Sequence, residues 1–292
     1  MSTNREHSAL SPPPTPRRRG PWARRLVWAG VGAVALAAIL IGLHAPAHHA
    51  HAQAAPACTA PTELARFTNR LPRLADRVTH RASITIVAVG SSSTAGAGAS
   101  SPAATYPARL EALLRERAAG AMPITVLNRG VGGEEIRDML ARFDRDVFAE
   151  KPDLVLWQLG TNSVLRDHVI SGNGDLLTGE LTLLKLTGAD VVLINPQYAP
   201  KVLAHPEVAA MVELMSATAK ASSVELFDRF AIMKHWRETR GMPFQAFLNP
   251  DLLHMNDWGY DCVAQLLADA ITDAATRAPL TAGMPIPVGT RR

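Results

Sequence analysis

The sequence predicts an α/β protein in which a five-stranded parallel sheet carries helices on both faces. Three observations lead there. Short runs rich in β-branched and apolar residues alternate five times with stretches of helical period. The third run, Asp153 to Leu159 (DLVLWQL), is apolar on both faces, as a central parallel strand should be. The ends of the first three runs are polar instead: GSSS, a glycine-rich turn and GTN. In open α/β sheets ligands bind at that edge.

The elements follow in order. Pro61 to Val78 has helical spacing through Leu64, Phe67, Leu71 and Leu74. Strand one covers 83–89 and breaks at Gly90 into three serines. Ala104 to Ala119 reads as a helix that Gly120 ends. Ile124 to Leu127 is the second strand, leading into Asn128-Arg-Gly-Val-Gly-Gly133. Glu134 to Phe148 is amphipathic, with acids in its first turn, where the helix dipole favours them. The third strand ends in Gly160-Thr161-Asn162. Leu176 to Leu186 is helical, and Ala189 to Ile194 is the fourth strand, ending at Asn195-Pro196. A helix over 202–221, a short fifth strand over 224–227, a partly helical stretch over 228–240 and a closing helix over 257–275 complete the pattern. There is no internal repeat. The organisation expected is a leader at 1–52, a linker and N-terminal helix at 53–82, one domain at 83–278 and a loose tail at 279–292.

The leader has its own chemistry. The formal net charge of +4 is misleading, because residues 1–52 hold six Arg and one acid, Glu6. The rest holds 24 basic and 25 acidic residues. No basic patch therefore argues for a nucleic-acid partner. Residues 26–43 (LVWAGVGAVALAAILIGL) form an uncharged apolar run behind the arginines. It is long for a signal-peptide core and short for a spanning helix, so it reads as a cleaved signal or a retained membrane anchor, and in both cases the remainder crosses the membrane. The expected location is extracytoplasmic, periplasmic or secreted, with any membrane contact made through 26–43. His44, His48, His49 and His51 form a tract that reads as linker rather than metal site, since no carboxylate or Cys stands nearby. Cys58 and Cys262 are the two cysteines. In an exported chain they are either a disulfide or two free thiols.

Chemistry gathers at the sheet edge. Ser91, Ser92 and Ser93 follow strand one. Glycine-turn N–H groups and the Asn162 amide are the donors an oxyanion requires. Late in the chain stands Asn249-Pro250-Asp251-Leu-Leu-His254, just before a helix. Asp and His three apart can lie side by side, so that the carboxylate holds the imidazole in the tautomer that takes a proton from a serine. Gly-Ser turns usually only turn, and a lone His is more often structural; it is the joint occurrence that points to an enzyme. Asn195, Gln197 and Tyr198 follow strand four at the same edge. Trp157 reads as core. Arg137, Arg166 and His168 read as surface, with the last two bordering the cleft.

These blocks resemble the SGNH (GDSL-like) esterases and lipases. Gly90-Ser-Ser-Ser-Thr-Ala-Gly96 is similar to that family's first block and implies Ser92 as nucleophile. Asn128-Arg-Gly-Val-Gly-Gly133 is similar to the second, with Gly133 implied as an oxyanion donor and Gly130 as runner-up. Gly160-Thr-Asn162 is similar to the third, and Asp251-Leu-Leu-His254 to the fifth. One departure stands out: the family usually has Asp between the first Gly and the nucleophile, where this chain has Ser91. The resemblance implies a flavodoxin-like three-layer αβα sandwich (the SGNH hydrolase fold), an oxyanion hole of Ser92, Gly133 and Asn162, and no metal or cofactor.

Rival readings fail on spacing. The elbow G-x-S-x-G needs Gly where Thr94 stands, dinucleotide fingerprints need Gly at Glu135 or Ser101, and no G-K-[ST] loop exists. The expectation is a serine esterase hydrolysing acyl or O-acetyl esters of a carbohydrate, lipid or cell-wall component. Ser91, Gly130, Thr161 and Asn195 are the further candidates for substrate contact. The alternatives are acyl transfer to a sugar hydroxyl and a carbohydrate-binding module without turnover.

Overall fold

The computed structural model describes residues 56–166 and 171–278. The apolar run at 26–43, the His tract, His168 and the tail at 279–292 lie outside the described residues. No helix among the described residues is long and apolar enough to cross a membrane.

Five strands form one parallel sheet: β1 (Ile84–Gly90), β2 (Ile124–Gly130), β3 (Leu154–Gln158), β4 (Asp190–Ile194) and β5 (Glu225–Phe227). Their order is β2-β1-β3-β4-β5, and every pair is parallel. This is the doubly wound order whose topological switch lies between β1 and β3. The carboxyl ends of those two strands are therefore where the connections diverge and leave a crevice. β3 and β4 are buried along their whole length. β2, at the sheet margin, alternates between buried and exposed. On one face the helices Pro72–Thr79, Tyr106–Arg117 and Asp257–Thr276 pack together; Ile136–Leu140, Ser171–Leu186 and Val208–Ser222 form the other layer. The core runs through all three layers, from Leu74 and Leu110 through Ile86, Leu156 and Val192 to Leu181 and Met215.

Three helices predicted as continuous are broken, each for a local reason. The stretch 61–78 divides into Thr62–Ala65 and Pro72–Thr79. Pro72 disfavours helix at the residue before it. The Glu225 carboxylate accepts the backbone N–H groups of Thr68 and Asn69 at 2.8 and 3.0 Å, replacing the helical ladder there. The stretch 134–148 breaks at Arg142, which leaves the helical conformation and turns its guanidinium inward. The stretch 202–221 divides around Pro206 into Pro200–Leu203 and Val208–Ser222.

The two cysteines form a disulfide, Cys58–Cys262. The strap 56–59 is also held by Trp258 Nε1 on the Pro56 carbonyl (2.9 Å) and Trp236 Nε1 on that of Thr59 (3.0 Å). The segment before the sheet is thus fastened to the helix that follows His254.

Candidate active site

β1 ends at Gly90, where a side chain has no room: a Cβ would overlap the Thr94 hydroxyl. Ser92 then opens a single helical turn, Ser92–Ala95. Its N–H stands at the first position of that turn, outside the helical ladder. Of the three serines, Ser91 and Ser93 are buried. Ser91 donates both its N–H (3.0 Å) and its hydroxyl (3.1 Å) to Gln158 Oε1, the side chain ending β3. Only Ser92 faces His254.

The acid and base come from one short loop. Leu248 and Met255 pair as an antiparallel bridge, and the Asn249 N–H donates to the His254 carbonyl at 2.8 Å. Asn249 Nδ2 ties this loop both to the Met255 carbonyl (2.8 Å) and to the Gly98 carbonyl (2.7 Å), in the segment that follows Ser92. Ser100 on Asp257 and Tyr260 on the Ala97 carbonyl add two further ties. Within the loop Leu252 takes a left-handed conformation, φ +57°. That turn lets the Asp251 carboxylate fold back onto the loop. Its Oδ1 accepts the N–H groups of Leu253 and His254, both at 3.0 Å. Its Oδ2 meets His254 Nδ1 at 2.5 Å. On the other side of the ring, His254 Nε2 stands 2.9 Å from Ser92 Oγ. Partial burial works against a charge on Asp251, but the imidazole and the two backbone donors outweigh it and hold the carboxyl below its usual range.

The second and third blocks meet beside Ser92. A Cβ on Gly132 would stand 3.9 Å from that of Ser92. Gly133 is left-handed, φ +82°. Asn162 Nδ2 donates to the Glu134 carbonyl at 2.7 Å, and Arg166 Nη2 to that of Gly133, also at 2.7 Å. An amide nitrogen carries two hydrogens, so Asn162 retains one. Beneath this loop Arg142 grips the Glu134 carboxylate through Nε (2.8 and 3.0 Å) and reaches the Gly90 carbonyl at 3.3 Å. One buried guanidinium therefore fastens the glycine turn to the end of β1.

Several sequence candidates are placed elsewhere. Gly130 gives its N–H to Asn128 Oδ1 at 2.9 Å, and a Cβ on it would overlap the backbone of Ala95. It is a glycine of close packing rather than a donor to the cleft. Thr161 is buried and donates to Gln197 Oε1 at 3.0 Å. Asn195 is fully buried between Asp228 and the Phe230 N–H. Ser91, Thr161 and Asn195 thus belong to the buried framework behind the site, while Gly130 is half-buried. Arg137 is exposed, and Trp157 is core. The residues the sequence does not announce are Gln158, Arg142 and Arg229. The one signal available for Gln158 is a lone amide at the end of an apolar strand. Among the described residues no group of His, Cys, Asp and Glu could hold a metal.

The comparisons agree with this architecture. A two-domain esterase active on acetylated mannans superposes with a TM-score of 0.63 at 20% identity, over 76% of this chain and 58% of that one. An acetyl-xylooligosaccharide esterase from Geobacillus stearothermophilus gives 0.56 at 22% identity, over 67% of this chain and 97% of its own. In sequence, an acetylxylan esterase of the same organism is 44% identical over 45 residues, which is 15% of this chain and 20% of that protein. The model of the Non-GDSL lipase-like family matches residues 57–277, and the chain belongs to that family.

Proposed function

We propose that the protein is an exported serine esterase that removes acyl groups, acetyl above all, from a carbohydrate. The observation that carries this reading is the continuous hydrogen-bond chain from Asp251 through His254 to Ser92, at 2.5 and 2.9 Å. In the first half-reaction Ser92 Oγ attacks the ester carbonyl carbon while His254 Nε2 takes its proton. Asp251 keeps the other ring nitrogen protonated and faces the imidazolium that forms. The oxyanion is received by the Ser92 N–H, the Gly133 N–H and the second hydrogen of Asn162 Nδ2. His254 returns the proton to the leaving alcohol oxygen. In the second half-reaction it takes a proton from water, whose oxygen attacks the acyl-serine, and then gives it back to Ser92 Oγ. The acid product leaves and the serine is restored.

Carbohydrate as the alcohol is supported by the proteins this chain resembles, two of which are described as acting on acetylated mannans and acetylated xylo-oligosaccharides. Export is supported by the arginine cluster ahead of 26–43 and by the Cys58–Cys262 disulfide, which suits an oxidising compartment. The test is release of acetate from acetylated mannan and xylan, and of p-nitrophenol from its acetate and octanoate esters, by residues 53–292. Acetate release abolished in Ser92→Ala is the expected result. Activity on the octanoate ester alone would refute the acetyl reading, and turnover that survives in Ser92→Ala would refute the nucleophile.

A further inference from the structure

The acid–base loop is held from behind by residues that never reach the cleft. Two consecutive carbonyls of the left-handed turn are anchored from the segment after β4. The Lys201 N–H donates to the Leu252 carbonyl at 3.2 Å, and Gln197 Nε2 to that of Leu253 at 3.3 Å. Leu253 lies between Asp251 and His254, and its own N–H is one of the donors to the Asp251 carboxylate. Gln197 is almost wholly buried, so it makes no contact with a substrate.

The amide of Gln197 can point only one way. Its Oε1 accepts from the Thr161 hydroxyl at 3.0 Å and from Arg229 Nη2 at 2.9 Å. Turning the amide over would set its NH₂ against a guanidinium and its oxygen against the Leu253 carbonyl. Arg229 is itself fully buried, with Nε on the Asn195 carbonyl at 3.0 Å. Its hydrogen bonds among the described residues run to uncharged oxygens, and the titratable groups acting on it are Tyr260 and Tyr106 rather than a carboxylate. Burial lowers its pKa to about 10, so the guanidinium remains charged at neutral pH. A cation with no counter-charge is costly inside a protein. Here it grips two carbonyl oxygens more firmly than a neutral donor would. Thr161 adjoins Asn162, so the same amide joins the third block to the fifth.

We infer that Gln197 is a positioning residue: held by Arg229 and Thr161, its amide fixes the Leu253 carbonyl and keeps the His254 ring between Asp251 and Ser92. The turnover part of this inference rests on the esterase reading above; the geometric part does not.

The test is Gln197→Glu in the chain as it exists. A carboxylate still accepts from Thr161 and Arg229, and it supplies the buried cation with a counter-charge. It has no N–H for the Leu253 carbonyl. The expected result is a melting temperature at or above wild type, kcat lowered at least tenfold and KM within about twofold. A second readout needs no substrate. The downfield proton on His254 Nδ1, identified by its loss in His254→Ala, is expected to shift or broaden in the variant. Arg229→Lys, which keeps the charge but loses the fork, is expected to move both readouts in the same direction and covers the case in which Gln197→Glu does not fold. Wild-type kcat and an unmoved proton signal in whichever variant folds would overturn the inference. A wild-type protein that hydrolyses no ester would instead overturn the function, and the proton signal alone would then decide the positioning.

Discussion

Asp251→Asn separates the geometry of the loop from its charge. In the native loop one carboxylate oxygen accepts two backbone N–H groups and the other meets His254 Nδ1. An asparagine there has two orientations. If its oxygen keeps the two backbone bonds, its NH₂ faces Nδ1 and forces the hydrogen onto Nε2, where it points at Ser92 and the ring cannot act as a base. If the amide turns over, the imidazole regains the working tautomer, but two backbone donors then face an NH₂. Each lost bond costs about 1 kcal/mol net. The turned-over form is therefore disfavoured by about 2 kcal/mol, near thirtyfold in population. Loss of the charge that faces the imidazolium adds to this. The corresponding change in a serine protease costs about 10⁴-fold. We expect kcat on a small aryl ester to fall by about 10³ to 10⁴, or roughly 4–5.5 kcal/mol of barrier, with the circular dichroism spectrum unchanged. Adding the change to Ser92→Ala should cost little more, because the shared step is already gone. A folded Asp251→Asn protein that keeps more than a tenth of wild-type kcat would sink this account of the loop.

A fluorophosphonate probe should label the wild type and not Ser92→Ala; labelling that vanishes in Ser91→Ala or Ser93→Ala instead would move the nucleophile. Burial raises Asp190 to about 6, against the N–H groups of Leu74 and Arg73 that favour its charged form. Its protonated form is preferred in the fold, so this contribution to stability is full below the unfolded value near 4 and is lost as pH rises through about 6. Urea unfolding from pH 4 to 7 should show that decline, and Asp190→Asn should flatten it; an identical pH slope in the variant would contradict the assignment. Reducing Cys58–Cys262 opens a link between residues 204 apart in sequence, and should lower unfolding free energy by up to about 5 kcal/mol. An unchanged urea midpoint in the Cys58→Ala, Cys262→Ala double variant would show that the strap contributes nothing.

How much of this was legible depended on which force set each feature. The five strands and the closing helix follow from apolar periodicity, because the core that buries them has the same period. The broken helices do not. Arg142 lies in a stretch whose spacing reads as an exposed amphipathic helix, yet its guanidinium is drawn inward by Glu134, Asp146 and the Gly90 carbonyl. Glu134 and Asp146 are near in sequence, but the Gly90 carbonyl is 52 residues away, and a contact of that kind leaves no periodic trace. The same holds for the polar strand ends. Ser91, Thr161 and Asn195 stand at the expected edge, but position along the chain does not say which way a side chain turns. Each turns inward onto an amide or carboxylate supplied by another element: Gln158, Gln197 and Asp228.

The departure at Ser91 follows from the same logic. At that position a carboxylate would be buried against the Gln158 amide, whose oxygen also accepts the Thr94 hydroxyl at 3.2 Å. A serine satisfies this corner as a donor twice over, by hydroxyl and by backbone N–H. An aspartate in the same orientation would set its oxygens against Gln158 Oε1, and could be satisfied only by the other end of that amide, Nε2, which has no partner among the described residues. Residue 91 is thus packed on residue 158, with its hydroxyl turned away from His254. It can differ from the related pattern while Ser92, one residue on, keeps its place on the helical turn and its contact with His254.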